Sequence, residues 1–171
     1  LAVARNGAIV YLKAYGVRDP LEFPPAPMAE NARFDVASLT KPMLTATAAA
    51  LAACNDELSL GDRILGYSID EYLRHTTDVP LYLEWQVVER ERRESELSPG
   101  QAIVRVIERH AIEGPPLPTT PGYSNLGYVL VAEHVENKLD TTLEDYRRGE
   151  VWQQLGMTQT GFAPDGPVVR S

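Results

Sequence analysis

The sequence holds a single cysteine, Cys54, only three histidines, and no apolar run approaching the roughly 18 residues that a membrane-spanning helix needs. One cysteine excludes an intrachain disulfide, and in the apolar stretch TATAAALAAC it is expected as a small core side chain. No histidine stands at metal-ligand spacing from another histidine, from Cys54 or from a carboxylate pair, so the reading calls for no metal and no cofactor. Basic residues are scarce as well. Against 24 Asp and Glu there are 16 Lys and Arg, a formal charge of -8 that repels phosphate backbones and anionic headgroups and argues against nucleic acid as a partner. The opening Leu1 lies in mid-strand with neither Met nor a signal-peptide pattern, so residues upstream of it are expected to be missing. What is present is an ordinary globular composition: 171 residues, 44% of them hydrophobic, suit one domain with a core of its own.

Along the chain, LAVARNGAIVYLKAYG reads as two apolar runs around Asn6-Gly7. That dipeptide accepts positive φ and predicts a two-residue antiparallel β-hairpin. Prolines 20, 24, 25 and 27 then impose an irregular connection. A helix is expected from about Leu39 to Cys54, a shorter one around SIDEYLRH, and a solvated face in the densely charged EWQVVERERRESE. In LSPGQAIVRVIERHAI, Ser98 is the expected N-cap, Pro99 the first helical residue, and Ala102, Ile103, Val106 and Ile107 an apolar stripe. After the proline-rich EGPPLPTTPG, the apolar spacing of Leu126, Val129, Leu130, Ala132 and Val135 predicts another helix, starting near Tyr123, Ser124 and Asn125. One more helix is expected to end near Gly156.

The chemistry concentrates in FDVASLTKPML, where Ser38 precedes Lys41 by three residues at a helix entrance. A serine hydroxyl is a weak nucleophile until a neighbouring base takes its proton. A lysine amine serves as that base only when neutral, a state that desolvation and nearby positive potential promote. Spacing of i and i+3 puts both side chains on one helical face. The entrance adds unpaired N–H groups and positive dipole potential, both suited to an oxyanion. Pro42 fits there, because a missing N–H costs little in the first turn. By itself, Ser-x-x-Lys also arises by chance, and a serine at a helix start is often only a cap.

Several ordered stretches decide between these readings. The opening hairpin with GVRD, then FDVASLTKPML, ELSLGDRI, RHTTDVP, PGYSNLGYVLVAEHVE and QLGMTQTGF together resemble the serine β-lactamase and penicillin-binding superfamily. The similarity is to the branch with class C β-lactamases, D-alanyl-D-alanine carboxypeptidases and related esterases, and it runs over nearly the whole chain. It implies an α/β fold of the α+β type, in which the hairpin belongs to a larger sheet beside a helical cluster. It also implies acyl transfer through Ser38, with Lys41 as general base, Tyr123 in the Tyr-x-Asn motif relaying protons, and Asn125 binding Lys41 and the substrate. A cation near a phenol favours the phenolate, which suits Tyr123 to that relay. Which of Lys41 and Tyr123 takes the first proton stays open, and a coupled pair can share it.

By the same resemblance His75 in RHTTDVP is a structural residue, and Asp78 stands where relatives carry glycine, so the turn after His75 is expected to be rearranged. Pro121-Gly122 runs directly into Tyr123 where relatives carry a few more residues, so the approach is expected to be shortened or to lack residues. Tyr82 and Trp85 are expected to fill a core sooner than to line a cleft, and His110 and His134 to sit on helices as surface or satisfied core groups. Relatives carry a third motif, Lys or His followed by x-Gly, downstream of Tyr123, and this sequence stops at Ser171 before one. Residues 1–171 are thus expected to be a single partial domain, its hairpin an open sheet edge. Two functions follow: a serine hydrolase acting on an ester, amide or β-lactam carbonyl of a small or peptide-like substrate, or an incomplete relative that only binds such a ligand or pairs with a complementary chain. An extracytoplasmic site is favoured by the resemblance alone.

Overall fold

The computed structural model of the chain describes residues 1–113 and 122–162. The proline-rich connection expected before Tyr123 lies, apart from its ends, outside the described residues, and so does Pro121. The described residues divide into two compact units, one of residues 1–38 and 157–162, the other of residues 39–113 and 122–156.

In the first unit, strands β1 (Ala2–Arg5) and β2 (Ala8–Leu12) pair antiparallel, with a register shift between Val3 and Ala4. Asn6 and Gly7 both take positive φ, 52° and 76°, the primed turn that matches strand twist and that their side chains permit. Every residue of both strands is exposed. The prolines act as expected. Between Val17 and Pro27 the chain makes only an isolated antiparallel bridge, and Arg18 crosses to Glu22 at 2.5 Å.

The second unit is the helical cluster. Its core is built from Ala48, Ala49 and Ala52 of α1 (Thr47–Cys54), Ile69 and Tyr72 of α2 (Ile69–Leu73), and Leu130, Val131 and Val135 of α5 (Asn125–Leu139), all buried. The alanine face of α1 lets α5 approach closely. A short hairpin, β3 (Arg63–Ile64) with β4 (Tyr67–Ser68), leads into α2. Ser68 and Glu71 there form a reciprocal capping box that satisfies two orphan N–H groups of the first turn. These hydrogen bonds hold the Glu71 carboxyl below the usual carboxylate range. Tyr72 sits fully buried with its hydroxyl donating to the Ile64 carbonyl at 2.8 Å. Gly127 packs opposite it, where a Cβ would lie 3.0 Å from Tyr72 Cδ1 and the buried ring would have to shift to admit it.

Four expectations change. The helix bearing Lys41 does not run as one α-helix from Leu39: a 3-10 turn at Ala37–Leu39 passes into a π-helical stretch, Lys41–Ala46, before α1. The Thr47 hydroxyl bonds the Pro42 carbonyl, a side-chain competitor for the ordinary ladder. Cys54 is exposed, because it ends α1, beyond the alanines that meet α5. Tyr82 and Trp85 are 69% and 60% exposed and fill no core in this chain. The charged segment forms α3 (Trp85–Glu94), which buries Val88 and Glu91 instead of presenting solvated faces alone. Glu91 faces two arginines of α4 (Pro99–Glu113), Arg109 at 2.8 Å and Arg105 at 3.3 Å. Ser98 and Pro99 start α4 as expected, with Ser98 and Gln101 capping each other. At the far end, α6 (Leu143–Arg147) sends the buried Arg147 to the Met43 carbonyl at 3.2 Å, bracing the π-helical stretch.

Candidate active site

Lys41 opens the π-helical stretch with a half-buried side chain. Ser38 lies exposed in the 3-10 turn three residues earlier in the chain, where Ala37 takes a positive φ of 44° and Asp35 accepts its N–H. Asn125 is the first residue of α5, and Tyr123 stands two residues before it, 48% exposed. The fold brings Lys41 and Tyr123 together: the ammonium nitrogen lies 4.8 Å from the centre of the Tyr123 ring, within the range of a cation–π attraction. It also lies 5.9 Å from the ring of Tyr128, one helical turn into α5.

Ser124, between the two residues of the Tyr-x-Asn pair, fixes their backbone. It is 1% exposed and fully bonded. Its hydroxyl donates to the Pro80 carbonyl at 2.8 Å and accepts the Gly127 N–H at 3.1 Å, capping α5, while its own N–H donates to Nδ1 of His75 at 3.1 Å. The imidazole of His75 lies against both tyrosines, 4.4 Å from Tyr123 and 5.1 Å from Tyr128 between ring centres. Burial, and then the charge of Lys41, hold the His75 pKa below its ordinary value. Tyr128 donates to the Leu73 carbonyl at 2.9 Å, and burial pushes its phenol up.

Two members of this cluster, Tyr128 and Ser124, drew no attention as site residues in the sequence. Their signal was available only after the helix start was placed, since Ser124 is the cap and Tyr128 the residue one turn beyond it. His75 was expected to be structural, and the structure ties it directly to the Tyr123 segment. Asp78, the departure after His75, has a partner of its own in the Tyr67 hydroxyl, whose pKa that hydrogen bond raises. Among the described residues, no three His, Cys, Asp or Glu side chains gather closely enough to hold a metal ion, and no helix is long and apolar enough to cross a membrane.

Lys41 at the helix entrance, the Tyr123 ring against it and the buried Ser124 between Tyr123 and Asn125 thus form one cluster. Known proteins give the chain a family. Penicillin-binding protein 4* of Bacillus subtilis (strain 168) is 28% identical in an alignment 169 positions long that covers 92% of this chain and 36% of that protein. The octameric penicillin-binding protein homologue from Pyrococcus abyssi superposes with a TM-score of 0.71 at 21% identity, over 99% of this chain and 42% of its own. A penicillin-binding protein from Bacillus halodurans superposes with a TM-score of 0.61, also at 21% identity, over all of this chain and 55% of its own. The chain therefore spans between about a third and about half of the length of these relatives. The Beta-lactamase family profile matches residues 1–170, and with that match the chain belongs to the beta-lactamase family, a group of serine hydrolases with a partly helical, partly sheet fold.

Proposed function

We propose that this chain carries the Ser38-to-Asn125 portion of a serine acyl hydrolase acting on an ester, amide or β-lactam carbonyl. The observation that carries the reading is the approach of Lys41 to Tyr123 across a long stretch of chain, 4.8 Å from ammonium to ring centre. In the first step Ser38 Oγ bonds to the carbonyl carbon as its proton passes to the Lys41–Tyr123 pair. Collapse of the tetrahedral intermediate expels the leaving group, which takes that proton. In the second step a water gives one proton to the same pair, its oxygen bonds to the acyl carbon, and the Ser38 oxygen leaves with the proton returned. Asn125, at the start of α5, holds the substrate and Lys41. The pocket that selects among ester, peptide and β-lactam is a matter of side chains beyond these four.

The test is intact mass after incubation with a fluorophosphonate and, separately, with a penicillin. A single adduct is expected on the wild-type chain and none on Ser38→Ala, whose fold should be intact because one exposed hydroxyl is lost. Equal labelling of Ser38→Ala would sink the assignment. No label on well-folded wild-type protein would instead favour a chain that binds an acyl ligand without turning it over.

A further inference from the structure

We propose that His75 is the positioning residue of this site and a proton switch for it: neutral, it holds the Tyr123 segment through the Ser124 N–H, and protonated, it releases that segment. The argument starts from the hydrogen bond. The Ser124 N–H donates to Nδ1 of His75 at 3.1 Å, which requires a lone pair on Nδ1 and puts the imidazole proton on Nε2. Protonation of Nδ1 leaves two donors facing each other, and the bond is lost. Ser124 is the residue between Tyr123 and Asn125, so its backbone sets where both point.

The second strand of the argument is charge. The groups facing the imidazole are Lys41 from the π-helical stretch, Tyr123 from the segment entering α5, and Tyr128 from α5 itself. On its own segment the neighbouring Arg74 is turned to a surface pair with Asp70. Lys41 already lies over both tyrosine rings. An imidazolium would put a second cation on the same two rings, repelling Lys41 and competing with it for their π faces. Burial and Lys41 both oppose that charge, so the switch operates on the acid side of the ordinary imidazole range. The backbone contributes too. His75 takes a positive φ of 57°, a conformation that histidine, like asparagine and aspartate, adopts more readily than other non-glycine residues, and this turn aims Nδ1 at the start of α5.

The structural arm of the test stands alone. The kinetic arm rests on the acyl-transfer reading above. Long-range nitrogen–proton NMR of the 171-residue chain across about pH 5 to 8 should show the Nε2–H tautomer at the alkaline end. A His75 midpoint below the ordinary value is expected, with the Ser124 amide and Tyr123 ring signals moving in step with it. His75→Asn keeps an acceptor at the Nδ1 position, suits the positive φ and carries no titrating group. Its rate of Ser38 labelling should match wild type near neutrality and lose the acid limb that wild type shows. His75→Leu, with no acceptor, should label more slowly at every pH, by up to about 100-fold for a misplaced reacting group. An Nδ1–H tautomer, a Ser124 amide indifferent to the His75 titration, or an acid limb that survives in His75→Asn would each overturn the proposal. If no variant labels Ser38 at any pH, the acyl-transfer reading fails while the NMR arm still decides the switch.

Discussion

Ser124 shows how much one side chain can carry. A serine at a helix N-cap is worth about 1 kcal/mol over alanine, and a second buried hydrogen bond, here to the Pro80 carbonyl, adds about 1 kcal/mol more. Ser124→Ala is therefore expected to lower the stability of the helical unit by about 2 kcal/mol in urea unfolding, a loss larger than either bond alone would give. A change below about 0.5 kcal/mol, the level of an ordinary surface substitution, would mean the two bonds are not made. Residues of this kind were only partly readable beforehand. Ser98 and Pro99 announced a helix start because the cap, the proline and the apolar stripe all agree locally. Ser38, Lys41, Tyr123 and Asn125 were named from a pattern, whereas the links from His75 to Ser124 and from Lys41 to Tyr128 join residues far apart in sequence, and no local rule reports them.

Among the elements, the pair α3 and α4 departs most from its sequence pattern. The mixed charges of α3 point to a solvated face, and most of them are solvated: Arg92 and Arg93 clasp Glu89 and draw its carboxyl down to about 2. Glu91 is the exception, 5% exposed and facing Arg105 and Arg109, with the Ser95 hydroxyl also donating to it at 3.1 Å. Its role depends on partners on another helix, which is why periodicity could not find it. An asymmetry follows. Glu91→Leu frees two arginines that already reach water, at a cost of about 1 kcal/mol, whereas Arg105→Met with Arg109→Met strands a buried carboxylate and should cost roughly 3 kcal/mol. Equal losses in thermal or urea unfolding would show that Glu91 is hydrated after all. The π-helical stretch was hidden for a similar reason. The stretch KPMLTA runs straight into the alanine-rich α1 with no local signal of a wider turn, and the side chains that bond its carbonyls, Thr47 on Pro42 and Arg147 on Met43, include one about a hundred residues away.

At the scale of the molecule, the sequence disclosed the class of fold, a hairpin and a cluster of helices, because turn chemistry and apolar spacing are local and both were strong. It did not disclose which helix lies at the centre. That helix is α5, which packs against α1, α2, α4, α6 and the π-helical stretch. Helix ends ordinarily fray, and their first amides exchange with solvent through small local openings. The N-terminal end of α5 is instead clamped on three sides, by Pro80, His75 and the buried ring of Tyr72 against Gly127. Hydrogen exchange should therefore find the Gly127 amide protected to within about tenfold of Val131 at mid-helix, and both following the urea dependence of unfolding of the whole unit. Fast, urea-independent exchange at Gly127 would refute this. If it holds, Tyr123 and Asn125 are mounted, while His75 is neutral, on the part of the unit that opens last, and their placement then persists through local fluctuations of the helices around them.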